Sequence, residues 1–431
     1  MSGRTILRGR VLTFVDEPQS LDDTSSYQYW EDGEVEIEDG RVVSVGQFDG
    51  AQRADATIVD HRPHLILPGF LYPHIHYPQM QVIGSYAANL LEWLNTYTFV
   101  EEQKFADPAH AATIATSFFD TLIRHGTTTA GVYCTVHPQS VEAFFAEAER
   151  RNMLMVAGKV MMDRNAPDGL LDTPQSSYDD TKAGIERWHG KGRAHYAITP
   201  RFAITSTPEQ MEMVETLARE YPELHIQTHV SENLAEIALA NELYPNHGDY
   251  VGIYEKYQLL GPKTLLGHCI HLSHRETEAI AESRSVAVFC PTSNLFIGSG
   301  LFDYDRLHKH GVRIGVATDV GGGTSYSMLR TLDEGYKVMQ LRGQRLNPLR
   351  SFYHMTLGNA RAMSLDDRIG RIAPGMEADL VVLDARATPE MAVRMERVET
   401  LANELFLLLT CGNDSAVVET YVGGSAMKSA L

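Results

Sequence analysis

The chain has 431 residues, 43% of them hydrophobic and 22% charged, with a formal net charge of −19. That is an ordinary globular composition, and the acidic surplus argues against a nucleic-acid backbone or an anionic membrane as partner. The length exceeds one compact core of usual size, unless that core is a (β/α)₈ barrel.

The N-terminus, Met-Ser-Gly-Arg-Thr-Ile, lacks the apolar core of a signal peptide, and no run reaches the length of a membrane span. Four scattered cysteines (Cys134, Cys269, Cys290, Cys411) form no Cys-x-x-Cys pair, which suits reduced thiols. A soluble, cytoplasmic protein is expected. Glu34-Val35-Glu36-Ile37-Glu38 alternates charged and apolar residues, Asp39-Gly40 reads as a tight turn, and Arg41-Val42-Val43-Ser44-Val45 returns as a second strand.

Beyond this hairpin the pattern changes. Eight strand-like runs follow, at 65–72, 127–134, 153–162, 194–200, 225–230, 264–269, 285–290 and 313–318. Helical patterns separate most of them, as at 108–125, 140–151 and 208–221. Strand and helix alternating eight times predicts a parallel barrel. The irregular stretch 163–178 is expected to cross its mouth. Near the end, 378–384 and 416–424 look like strands again, so both ends read as β structure with little helix. The expected α/β fold is therefore a (β/α)₈ barrel over 65–365, with a small β-sandwich domain built from 1–64 and 366–431.

The chemistry sits at the ends of the barrel strands. His74 and His76 close the first run; on a strand, residues two apart share a face. His229 closes the fifth, with Glu232 three residues on; His268 closes the sixth and Asp319 the eighth. Strand ends form the active-site face of such a barrel. Imidazoles and a carboxylate suit one zinc ion that keeps a position open for water. Of the other histidines, His61, His110, His125, His189, His247, His308 and His310 read as surface or satisfied core residues.

Longer blocks carry a resemblance. They are Pro68-Gly69-Phe70, His74-Ile75-His76-Tyr77-Pro78-Gln79, Leu-Glu-Trp-Leu-Asn-Thr-Tyr-Thr-Phe at 91–99, and Thr199-Pro200-Arg201-Phe202. They continue as Thr-His-Val-Ser-Glu-Asn at 228–233, Cys-Pro-Thr-Ser-Asn-Leu-Phe at 290–296 and Thr-Asp-Val-Gly-Gly-Gly-Thr at 318–324. From about residue 65 onward the chain resembles the amidohydrolase superfamily, in its mononuclear zinc deaminase branch, and several blocks are similar to those of guanine deaminases. One departure stands in this stretch: Tyr72-Pro73 occupies the place where an Asp and a small residue usually precede the first histidine.

The resemblance implies hydrolytic deamination of guanine to xanthine and ammonia in purine catabolism, with one zinc per chain and a homodimer. It implies His74, His76, His229 and Asp319 as zinc ligands. Glu232, His268 and Asp319 become the catalytic groups, and His76, Gln79, Arg201, Phe202, His229 and Asp319 the substrate contacts. Carbon 2 of guanine is a poor electrophile, so attack is easier if ring nitrogen 3 is protonated as hydroxide adds. Glu232 is placed to carry that proton and later one to the leaving amine, while Asp319 can accept a proton from the attacking water. The plainer reading of Glu232 is a carboxylate at the N-terminus of a helix over 233–243.

Arg201 only donates, so it suits the carbonyl on carbon 6 of guanine and not the amine of adenine. Gln79 offers a donor and an acceptor to the neighbouring ring edge. Phe202 supplies a face for the purine, and Trp93, Tyr97 and Phe99 either close over it or simply pack. Gly321-Gly322-Gly323 reads as backbone room beside the metal and not as a phosphate cradle. Three alternatives compete: a related aminopurine, pterin or triazine deaminase; a two-metal ring-opening amidohydrolase, for which Lys159 lies on the third strand; and a non-catalytic scaffold. His271 competes with His268 for the catalytic place.

Overall fold

The computed structural model describes residues 3–50, 56–86 and 89–431. Strands β1 (Arg4–Phe14), β2 (Tyr27–Glu38), β3 (Arg41–Gln47) and β4 (Ala56–Pro68) come first. Next come β5 (Phe70–His76), β6 (Thr127–Tyr133), β7 (Leu154–Gly158), the short β8 (Val160–Met161), β9 (Ala194–Pro200) and β10 (His225–Val230). They are followed by β11 (Thr264–His268), β12 (Val286–Phe289), β13 (Arg313–Val316), β14 (Leu380–Leu383), β15 (Val417–Val422) and β16 (Ser425–Ala426).

The two ends of the chain meet in one seven-stranded mixed sheet of order β16-β15-β14-β4-β1-β2-β3. The Asp39-Gly40 turn behaves as its sequence dictates: both residues have positive φ, 51° and 76°, and Glu38 pairs with Arg41 across them. Left-handed angles at both central positions match the right-handed twist of the flanking strands. One face of the sheet encloses Leu7, Val11, Val35, Ile66, Leu380 and Val382 in a core of its own. The alternate residues Leu65, Leu67, Val381 and Leu383 face the main barrel core.

The second sheet is the parallel barrel, ordered β5-β6-β7-β9-β10-β11-β12-β13. Asn359 fastens its seam. The side-chain amide donates to the carbonyls of Leu71 on β5 and Val316 on β13 at 2.6 and 2.8 Å, and its oxygen accepts from Val316 N at 2.9 Å. Above it, His76 N donates to Val320 O at 2.8 Å and Asp319 N to His74 O at 3.2 Å. The first strand and the segment after the last are thus tied together at the functional rim.

Three sequence expectations need correction. The apolar run over 65–72 is two strands: 65–68 pair with β14 in the terminal sheet, and β5 starts the barrel at Phe70. Burial by both cores makes the run uniformly apolar, which hides the change of sheet. The C-terminal part also carries helices Pro389–Met395 and Leu401–Cys411. Leu405, Leu408 and Leu409 of the latter are buried in the main core, and its Glu404 accepts from Arg10 of β1 at 2.7 Å. Finally, the stretch 163–178 is shorter than expected, because Thr173 caps a helix that begins at Pro174. Among the described residues no helix is long and apolar enough to cross a membrane.

Candidate active site

β5 brings His74 and His76 to the rim side by side. Room for the His74 ring depends on Gly267 of β11, where a Cβ would lie 2.7 Å from His74 Cε1. Pro73 between the strands is accommodated by two further glycines: a Cβ at Gly131 would meet Pro73 O at 2.6 Å, and one at Gly315 would meet Pro73 Cγ at 2.8 Å. His229 stands near the end of β10, His268 ends β11, and Asp319 follows β13. Ser231, His268, Cys269 and Asp319 all have positive φ, between 50° and 72°. Non-glycine residues held there carry strain of roughly 1–3 kcal/mol each, and such residues gather at functional sites.

The six candidate groups converge. Asp319 Oδ1 lies 3.2 Å from His74 Nε2 and 3.4 Å from His76 Nε2. His76 Nε2 faces His229 Nε2 at 3.2 Å. His74, His229 and His268 offer ring nitrogens within 4.8 Å of one another. Asp319 Oδ2 is 3.8 Å from His268 Nε2, which also lies 3.3 Å from Glu232 Oε2. Every one of these side chains is buried.

Electrostatics sort the groups by role. Burial lowers the pKa of His74, takes that of His76 down to about 4 and holds His229 well below the ordinary range. All three are therefore neutral imidazoles with a lone pair each. Burial raises the Asp319 carboxyl, but His74 and His76 beside it outweigh this and hold it well below its usual value. Burial and then the charge of Asp319 push Glu232 up to about 8, against the hydroxyl of Ser299, which donates to Oε1 at 2.8 Å.

This donor set fits a metal ion. Neither ring nitrogen of buried His74 has a hydrogen-bond partner. His229 Nδ1 lies 2.6 Å from the Arg201 carbonyl, which must accept a proton from it, so the lone pair is on Nε2 and points at His76 Nε2. With its proton on Nδ1, His76 turns a second lone pair to the same point, and a cation there would be held by both rings. Nitrogen and carboxylate donors suit zinc among the common divalent ions. His268 is oriented separately, by Asn294 Oδ1 at 3.0 Å from Nδ1.

Beside this cluster opens a cleft whose polar lining includes Gln79, Arg201, Glu232, His268 and Asp319. Leu90, Trp93, Leu94, Phe202 and Ile297 give it apolar walls. Phe202 meets His229 edge-on, ring centroids 6.0 Å apart. Of the three aromatics expected above the purine, Trp93 lines the cleft; Phe99 instead lies under the Arg201 guanidinium at 5.3 Å, and Tyr97 is not among the lining residues. Gly321 and Gly322 are the expected close approach, since a Cβ would meet Gln79 O at 2.8 Å or Ser293 Oγ at 2.6 Å.

Sequence reasoning overlooked Glu102, which holds both readers of the cleft: Oε1 accepts from Gln79 Nε2 at 2.9 Å and Oε2 from Arg201 Nη1 at 2.6 Å. Its neighbour Glu101 makes the pair resemble a solvated helix face, and nothing local marks Glu102 as buried. Asn294 was closer to view, because it lies in the block 290–296. The rivals fall outside. His271 bonds the Ser299 carbonyl at 2.7 Å, and the Lys159 ammonium is held by Asp172, away from the histidines.

The Amidohydrolase family model matches residues 65–426. Guanine deaminase of Escherichia coli is 46% identical over 98% of each chain. Its solved structure superposes with a TM-score of 0.94 at 45% identity, covering 98% of this chain and 99% of that one. The structure of guanine deaminase from C. acetobutylicum with bound guanine covers 98% of this chain and 100% of its own, at TM-score 0.89 and 27% identity.

Proposed function

The chain belongs to the amidohydrolase family, and from that premise we propose that it hydrolyses guanine to xanthine and ammonia, using one zinc ion per chain. The observation that carries this reading is the coincidence, in one cleft, of a neutral imidazole cluster with an arginine–glutamine pair able to read an oxopurine edge.

His74, His76, His229 and Asp319 would hold the metal. When bound, zinc would supply a water acidified to a pKa of roughly 7. Asp319, kept ionised, accepts a proton from the attacking water. Glu232 has a pKa near neutrality and so exists in both forms there. It delivers a proton to ring nitrogen 3 as oxygen bonds to carbon 2. Glu232, now a carboxylate, takes the proton of the new hydroxyl and passes it to the amine; the carbon–nitrogen bond breaks, ammonia leaves, the carbonyl of xanthine remains, and the proton held by Asp319 returns Glu232 to its acid form. His268, oriented by Asn294 and 3.3 Å from Glu232, is assigned to hydrogen-bond the attacking water, as the family resemblance implies. Arg201 donates to the carbonyl on carbon 6, Gln79 pairs with the ring edge and Phe202 supports the ring.

This reaction belongs to purine breakdown. The four unpaired cysteines suit a reducing cytoplasm, and family resemblance points to a homodimer, for which sedimentation should return twice the chain mass. An absorbance assay of guanine conversion, run beside metal analysis, tests the proposal. One zinc per chain with stoichiometric ammonia is expected; a zinc-loaded protein inert toward guanine would sink it.

A further inference from the structure

Resting on the reading of the cleft as a guanine site, we infer that Glu102 is a positioning residue that sets which purines are accepted. It does so by fixing the amide orientation of Gln79 and cancelling the charge of Arg201. Glu102 is almost wholly buried, 1% exposed, behind the substrate cleft. Both its oxygens are used, one by each reader, at 2.9 and 2.6 Å. A carboxylate only accepts, so whatever faces it must donate. Gln79 is therefore held with Nε2 toward Glu102, while Oε1 accepts from Gly321 N at 3.1 Å. The amide cannot flip without turning its oxygen onto a carboxylate and its NH₂ onto a backbone N–H. What remains for a ligand is one N–H and one lone pair in a fixed order.

Arg201 is constrained by the same group. Glu102 takes Nη1, Phe99 lies under the guanidinium at 5.3 Å, and the Arg201 carbonyl is held between His229 and Thr228. The remaining guanidinium donors are left for a carbonyl. Because the cation is already paired in a buried setting, the cleft favours a neutral lactam oxygen over an anionic group, which a lone arginine would capture. Glu102 touches neither substrate nor metal ligand in this arrangement; it acts through its two partners.

The test compares guanine with 2,6-diaminopurine, which offers the same amine on carbon 2 but an amine on carbon 6. Glu102→Gln has one acceptor for two donors, so Gln79 is free to flip and Arg201 is left unbalanced. Glu102→Asp keeps the charge on a shorter stem. For Glu102→Gln, kcat/KM for guanine should fall about 30-fold or more, mainly through KM, because one partner of a buried charge pair is lost. Metal content should stay at the parent value. Conversion of 2,6-diaminopurine should change much less, so the preference for guanine narrows, and Glu102→Asp should recover part of it. An equal loss on both purines, or an unchanged preference in a metal-loaded variant, overturns the inference. If Glu102→Gln does not fold, Glu102→Asp carries the test through the same ratio, where no narrowing overturns it. A parent enzyme inert toward guanine overturns the functional reading and this inference together; with a parent active on guanine, the ratio bears on Glu102 alone.

Discussion

β10 carries a histidine at each end, and the two belong to opposite kinds of cluster. His225 opens the strand at the barrel floor, where its Nε2 meets the Met363 carbonyl at 2.7 Å. Its neighbours are equally provided for: His195 Nε2 lies 2.9 Å from Arg368 Nη1, and His189 Nδ1 accepts from Tyr196 N at 3.2 Å. At the rim, His229 meets the Arg201 carbonyl through Nδ1 and another imidazole, His76, through Nε2, while His74 has no partner on either nitrogen. Burial pulls both clusters down alike, His225 and His76 each to about 4. Neither crowding nor a depressed pKa therefore separates a metal site from a packed floor. Unsatisfied lone pairs aimed at a common point do, since a buried polar group without a partner is costly unless something else fills it.

The largest expected effect comes from breaking the rim. His74→Ala should lose stoichiometric metal and with it all measurable guanine turnover, as should prolonged chelation of the parent. Retention of one tight zinc by that variant would remove His74 from the ligand set. Next in size, Glu232→Gln should keep zinc while turnover falls by roughly 10²–10⁴, the usual worth of a proton-transfer group. Full activity in steady-state assays would return Glu232 to the plainer reading of a carboxylate ahead of a helix.

The floor should answer to acid as well. His225 has a folded pKa of about 4 against an ordinary 6.5. Between those values the unfolded chain binds the extra proton, so stability is full above about pH 6.5 and is lost as pH falls toward 4. For His225 alone the shift corresponds to about 3 kcal/mol, so urea unfolding should show a loss of at least that order between pH 7 and pH 4.5. A flat profile would contradict the neutral, buried floor. The smallest effect is expected for His225→Gln, which can still donate to Met363 O. It should soften the acid slope, cost about 1 kcal/mol at pH 7 and leave zinc content and turnover at parent values. A loss of metal there would dissolve the distinction between the two ends.

Much of the candidate rim was visible in the one-dimensional pattern. His74 and His76 sit two apart on a strand, His229, His268 and Asp319 follow at later strand ends, and a parallel barrel gathers such ends on one face. The capped helix after β10 was legible too: Asn233 accepts from Ala235 N while Glu236 returns to the backbone of Asn233. The break between β4 and β5 was not, because alternate residues of 65–67 face two different cores and the run looks uniformly apolar. The helix Leu401–Cys411 was hidden for a related reason, as its Leu-rich run docks on the barrel instead of the terminal sheet.

Residue types and spacing alone specified the donors, the strand alternation and the hairpin, since these depend on covalent geometry and on periods of two and 3.6 residues. Which nitrogen of each imidazole is left without a partner, why Glu102 is buried between Gln79 and Arg201, and how Asn359 closes the seam required the folded chain. Those features arise from groups as far apart in sequence as Leu71 and Asn359, whose contact no local pattern encodes.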